Sequence, residues 1–190
     1  ELMNRLGIKG KQLKQGRIEL PKYRALYLEQ LENSGAIEIE KDEGFKTLVE
    51  DIQNPAELEI KVPESLKGVV RDYQQIGFKW LVTLSRYGLG GILAEDMGLG
   101  KTLQVLAMIL FDKENGIGKP SLVVAPTSLI YNWEAEVRKF VPQLKTLIIT
   151  GKKVERKELL KSVPDADIVI TSYPLVIRDK EEYEQYSFNC

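Results

Sequence analysis

Five consecutive residues, Gly98-Leu99-Gly100-Lys101-Thr102, leave this chain few ways to fold around them. They follow a short apolar run at residues 91–94 and lead into an apolar stretch at residues 102–111. The pattern predicts a strand, a glycine loop and a buried helix, which is the setting a phosphate-binding loop requires. Inward-turned backbone N–H groups can cradle a polyphosphate, and the helix N-terminus adds partial positive charge. Gly98 and Gly100 permit the backbone conformation and the close approach. Lys101 can reach the β- and γ-phosphates, and the Thr102 hydroxyl is the candidate Mg²⁺ ligand. These two are the candidate catalytic residues. The alternative is a glycine turn capping an ordinary helix. The general motif also places glycine seven residues before the Ser/Thr, and here that position is Glu95, followed by Asp96. A generic kinase or small GTPase therefore fits less well.

The surroundings alternate in period. Residues 71–87 read as a helix with Tyr73, Ile76, Gly77, Trp80, Leu81 and Leu84 on one face. A strand at 121–125 is stopped by Pro126. A helix at 128–140 carries Leu129, Trp133, Val137 and Phe140. Strands are expected at 146–149 and 167–171, with a polar helix at 152–161 between them. Strands alternating with helices of this length predict an α/β fold, a parallel sheet with helices on both faces. Residues 1–62 differ: they are rich in lysine and glutamate, with helices expected at 22–33 and 43–53. Residues 55–67 read as a connector. Two basic groups, Lys9, Lys11, Lys14 and Arg17, and Lys152, Lys153, Arg156, Lys157 and Lys161, read as solvated faces. Contact with a nucleic-acid backbone is the alternative for each.

Composition removes several chemistries. With one cysteine and no histidine, the chain can form no internal disulfide, no zinc site of the usual kind and no Ser-His or Cys-His nucleophile. A net charge of −1 gives no global case for nucleic-acid binding, so any such contact must use local patches. No apolar run approaches the ~18 residues of a membrane span, so no membrane partner is expected. Glu1-Leu2-Met3 reads as the start of a fragment.

The sequence Leu93-Ala94-Glu95-Asp96-Met97-Gly98-Leu99-Gly100-Lys101-Thr102 closely resembles motif I of the SWI/SNF-type ATPases of helicase superfamily two. In that family an acidic pair and Met-Gly-Leu-Gly-Lys-Thr replace the usual leading glycine. Residues 71–81, beginning Arg71-Asp72-Tyr73-Gln74-Gln75, resemble the family's glutamine motif, in which the residue matching Gln74 reads the adenine edge. An amide suits that task because it offers a donor and an acceptor together. The resemblance thus implies ATP and Mg²⁺ as cofactors, held by Arg71, Gln74, Glu95, Asp96, Met97, Gly98, Leu99, Gly100, Lys101 and Thr102. Residues 123–133 resemble motif Ia, and residues 168–173 resemble the next motif. By that resemblance Pro126, Thr127, Ser128, Thr171, Ser172 and Tyr173 line a groove along one DNA strand, where short hydroxyls and free N–H groups suit phosphate contacts. Residues 1–60 resemble the end of an accessory domain that precedes the motor in bacterial members.

The family's Asp-Glu pair, which polarises Mg²⁺ and the attacking water, has no match: the one apolar run leading to an acidic pair is residues 92–96, already the phosphate loop. The expectation is an incomplete RecA-like lobe at 63–190, truncated before that motif, preceded at 1–62 by the remnant of another domain. The parent would hydrolyse ATP and move along double-stranded DNA without separating its strands. Its partners would be the DNA backbone, a second motor lobe absent here and a DNA-bound protein, in a bacterial cytoplasmic, nucleoid-associated setting. The alternative is a non-hydrolytic nucleotide-binding scaffold.

Overall fold

The structure is a computed structural model that describes residues 20–190. These divide into two compact units. The first holds the described residues up to Leu58 together with Thr83–Gly91, and the second holds Glu59–Val82 with Ile92–Cys190.

In the first unit, a 3₁₀ turn at Lys22–Arg24 leads into helix α1, Ala25–Asn33, and helix α2 follows at Glu43–Gln53. The start of α2 is set by Asp42, whose Oδ1 accepts from the Phe45 N–H at 2.7 Å and satisfies one of the helix's free donors. Leu48, Val49 and Ile52 share one face of α2 and are buried. Lys41 ties the segment before α2 to α1 through Glu29, at 2.6 Å, and Glu32. Asp51 of α2 accepts from the Tyr87 hydroxyl at 2.6 Å.

The second unit carries the sheet. Strands β1 (Ser121–Ala125), β2 (Thr146–Ile148) and β3 (Ile168–Ser172) form a parallel sheet in the order β1-β3-β2. The central strand is buried along its whole length, as a strand covered on both faces must be. Register pairs Ser121 with Ile168 and Ala125 with Ser172, so the carboxyl ends of β1 and β3 lie side by side. Around the sheet stand α3 (Asp72–Tyr87, whose residues from Thr83 on group with the first unit), α4 (Lys101–Glu114), α5 (Ile130–Phe140) and α6 (Lys153–Leu160). Helix α4 is apolar nearly all round and is correspondingly buried, from Leu103 through Asp112 with few breaks. Phe78 of α3, with no exposed surface, meets Phe111 of α4 edge-on at 5.7 Å between ring centroids. Ile149, Leu160, Val163, Val169 and Tyr183 form an apolar cluster of buried residues.

Two features depart from the sequence reading. Residues 91–94 form no strand: they carry no regular secondary structure, and Ile92 is 85% exposed. A strand exists only as one of a hydrogen-bonded set, and among the described residues the sheet does not include this segment. The described sheet's β1 edge is instead bonded by the last residues, with Leu122 N–H donating to the Cys190 carbonyl at 2.8 Å and Asn189 N–H to the Pro120 carbonyl at 2.9 Å. The second departure is an addition. Two short helices, α7 (Tyr173–Arg178) and α8 (Lys180–Tyr183), follow β3. Pro174 suits the first turn of α7, where its missing N–H costs nothing.

Candidate functional site: the glycine loop before α4

The loop at residues 95–102 closes on its own lysine. Lys101 Nζ donates to the carbonyls of Glu95 and Asp96, both at 2.8 Å, so the ammonium sits at the centre of the loop. Gly98 and Gly100 lie in the left-handed region, at φ 86° and 77°, which a side chain resists. Gly100 is also required for space. A Cβ there would lie 2.4 Å from Gln74 Nε2. Gly100 caps α4, and the first internal bond, Gln104 N–H to the Gly100 carbonyl, is 3.3 Å. Thr102 stands half-buried in the first turn. A helix start with free N–H groups, a lysine and a hydroxyl in its first two positions and two glycines before it suits a phosphate anion and a hard cation.

The start of α3 grips this loop from one side. Gln74 is 5% exposed. Its Nε2 donates to the Leu99 carbonyl at 2.8 Å, and its Oε1 accepts from the Arg71 N–H at 2.9 Å. The Tyr73 hydroxyl donates to the same Leu99 carbonyl at 3.1 Å. One N–H and one lone pair of the Gln74 amide stay uncommitted, enough to pair with one base edge. Arg71 enters through its backbone, and its side chain is exposed, as are Asp96, Met97 and Leu99. The roles of Tyr73 and Gln104 escape a sequence reading. Tyr73 reads as a packing residue, and Gln104 as a polar break in an apolar run. That break is the one signal available, since a buried amide needs a partner.

The DNA candidates divide. Pro126, Thr127 and Ser128, just beyond β1, are exposed, and so is Tyr173, just beyond β3. The register of β1 and β3 brings these two groups to one edge of the sheet, outside the carboxyl ends of the strands, where open α/β sheets place ligands. Thr171 and Ser172 are buried, at 0% and 1% exposure, and Thr171 Oγ1 donates to the Ile149 carbonyl at 3.1 Å. Their side chains serve the sheet's interior, because all five positions of β3 are covered. Trp133 is half-buried, lining a cavity of about 200 Å³ with Thr102, Leu129, Asn132 and Glu136.

The basic cluster on α6 is largely spoken for. Arg156 is buried and donates to both carboxylate oxygens of Asp179 and, at 2.7 Å, to the Gly151 carbonyl. The bond to Arg156 holds the Asp179 carboxyl below its ordinary range, and the same contact raises the guanidinium further. Lys157 pairs with Glu182 at 3.2 Å and Lys161 with Glu158 at 2.6 Å.

Comparison with known proteins bears on both halves of the chain. Residues 73–190 match the SNF2-related domain, and residues 1–63 match the segment described as bacterial SNF2 helicase associated. Among solved structures, the SWI2/SNF2 ATPase core of Sulfolobus solfataricus in complex with double-stranded DNA is 38% identical. It has a TM-score of 0.54, over 59% of this chain and 23% of that one. The core domain of the same ATPase in a second structure is 37% identical with a TM-score of 0.52, over 64% of this chain and 23% of that one. Helicase SWR1 of Mycosarcoma maydis is 44% identical over 117 residues, 60% of this chain and 6% of the relative. The putative ATP-dependent helicase/translocase YwqA of Bacillus subtilis is 40% identical over 119 residues, 62% of this chain and 13% of the relative. The chain thus spans a small part of the length of its curated relatives. With more than half of its residues matched by the SNF2-related domain, and with the motif I loop closed around Lys101 at the head of α4, the chain belongs to the SNF2 family of SWI/SNF-type helicase-like ATPases.

Proposed function

We propose that this chain is the ATP-binding part of an SNF2-type motor that uses ATP hydrolysis to move along double-stranded DNA. One observation carries the reading: Lys101 Nζ is gathered over the Glu95 and Asp96 carbonyls at the N-terminus of α4, behind two left-handed glycines. A lysine whose bonds among the described residues are to neutral carbonyls can exchange them for phosphate oxygens, which are better partners for an ammonium. ATP supplies the phosphoryl group to be transferred, and Mg²⁺ neutralises charge on its oxygens. The chain's own residues bind and orient. Lys101 neutralises the terminal phosphates, the free N–H groups of the first turn of α4 cradle them, and the Thr102 hydroxyl holds the metal. Gln74 meets the base with its uncommitted N–H and lone pair, while its other bonds fix Leu99 and Arg71. Glu95, Asp96, Met97 and Leu99 shape the loop.

Pro126, Thr127, Ser128 and Tyr173, on the exposed edge beyond β1 and β3, are the proposed contacts to a DNA backbone, with Thr171 and Ser172 supporting from within the sheet. The Sulfolobus solfataricus core, solved with double-stranded DNA, supports that choice of partner. The match of residues 1–63 to a bacterial associated segment supports a bacterial parent with the motor lobe starting near residue 63, and a motor on DNA would work in the cytoplasm, at the nucleoid. The test is titration with a fluorescent ATP analogue in the presence of Mg²⁺. Lys101→Ala is expected to weaken binding at least ~tenfold, about 1.4 kcal/mol, without loss of fold, because the loop is largely exposed. Equal affinity of wild type and variant would remove Lys101 from the site.

A further inference from the structure

Gln104 interrupts an otherwise apolar helix, and the structure buries it completely. Its Nε2 donates to Glu95 Oε2 at 2.7 Å. Its Oε1 is buried with no hydrogen-bond partner among the described residues. An orphaned buried acceptor is costly, and an apolar side chain of similar volume would avoid that cost. What the amide offers in return is its bond to Glu95.

Room for the amide comes from Gly77. A Cβ at that position of α3 would lie 1.9 Å from Gln104 Oε1, 3.0 Å from its Cδ and 3.6 Å from Glu95 Oε1. Glycine inside a helix of 16 residues is itself unfavourable relative to alanine. Two locally poor choices, on two different helices, therefore meet at one point, and that point is the Glu95 carboxylate. Places where local rules are broken together are where function is expected.

Glu95 stands where the general phosphate loop has glycine, and its carbonyl accepts from Lys101 Nζ. Among the described residues no ion pair joins its carboxylate to that lysine. Released from Gln104, the carboxylate would be within reach of the ammonium and would bring negative charge beside a polyphosphate, opposing binding on both counts. We propose that Gln104, seated on Gly77, is a positioning residue that turns the Glu95 carboxylate away from Lys101 and keeps the loop receptive to phosphate. The proposal rests on the nucleotide-binding reading above.

A double-mutant cycle tests it. Binding of a fluorescent ATP analogue with Mg²⁺ is measured for the wild-type chain, Gln104→Met, Glu95→Gln and the double variant. A parallel cycle uses Gly77→Ala, whose methyl group displaces the amide while favouring the helix. Gln104→Met and Gly77→Ala are each expected to weaken binding about tenfold when Glu95 is present, and less than about twofold in the Glu95→Gln background. That coupling to one carboxylate is what a residue that only fills space would not produce. Losses of equal size in both backgrounds, or no loss in either, would overturn the inference. Unfolding midpoints are recorded for every variant, and should Gln104→Met not fold, the Gly77→Ala cycle decides alone. Failure of the wild type and Lys101→Ala alike to bind the analogue would overturn the nucleotide reading itself, and the inference with it. Intact wild-type binding without coupling would overturn the inference only.

Discussion

The side chains of Arg156 and Asp179 retain only 6% and 3% of their exposure, and the guanidinium meets the carboxylate with two parallel bonds. Such a pair is far costlier to break than to omit, because the surviving partner stays buried and charged. Asp179→Ala is therefore expected to cost roughly 3–5 kcal/mol at neutral pH, read by urea denaturation. The dependence on pH follows from the depressed carboxyl. A group whose native pKa lies below its unfolded value contributes stability above that unfolded value, near 3.8, and loses it as pH falls through the native one. The gap between wild type and variant should thus be flat at neutral pH and narrow in acid below that range. A gap that stays constant down to strong acid would mean the pair is not what holds α6 to the turn before α8. Arg156 sits among four lysines in the sequence, and nothing in that pattern distinguishes the one buried member. The partner that claims it is 23 residues away.

At the scale of elements, periodicity and end signals locate most of the helices and strands. Helix α2 and strand β1 fall on the spans expected from composition, because each is bounded by residues that act locally: Asp42 and Asn54-Pro55 for the helix, Pro126 for the strand. The Asp42 cap is directly testable. Asp42→Ala is expected to destabilise the chain by ~1 kcal/mol, the usual worth of a side-chain cap, seen as a small drop in the unfolding midpoint. No change would show that α2 is held by packing alone. Residues 91–94 mark the limit of this kind of reading. Their composition suits a buried strand, but a strand is made by its neighbours, and composition says nothing about whether a neighbour is there. Short helices such as α7 and α8 are missed for the converse reason: four to six residues carry too little period to show.

For the whole molecule, the proposed motor sets an expectation for DNA. A chain of net charge −1 that meets DNA through strand-end hydroxyls and free N–H groups should bind duplex weakly and without sequence preference. Binding should fall steeply with salt, since counterion release drives it. DNA-stimulated ATP turnover requires a Mg²⁺-polarising acid and positive charge from across a cleft, and an arginine supplied there can be worth ~10³–10⁵ in rate. Phosphate release measured with and without duplex DNA should accordingly show stimulation in a longer polypeptide carrying both lobes, and not in this chain. Robust stimulation in this chain alone would sink the two-lobe account. An inactive longer polypeptide that still binds ATP would favour a non-hydrolytic scaffold.

The proposed phosphate loop, the parallel α/β order and the membership of the SNF2 family are all carried by local sequence. The roles proposed for Gly98, Gly100, Lys101 and Thr102 rest on backbone conformation and on neighbours within a turn or two, so they can be read without coordinates. Which side chains face the loop is another matter. Gln74 lies 25 residues from the Leu99 carbonyl it binds, and Tyr73 lies 26 from the same atom. A Cβ at Gly77 would run into the side chain of Gln104, on a different helix. Thr171 and Ser172 look like surface hydroxyls until the strand that holds them is covered on both faces. Packing brings together residues that no spacing rule connects, and burial then determines which polar groups are free to act and which are already bonded.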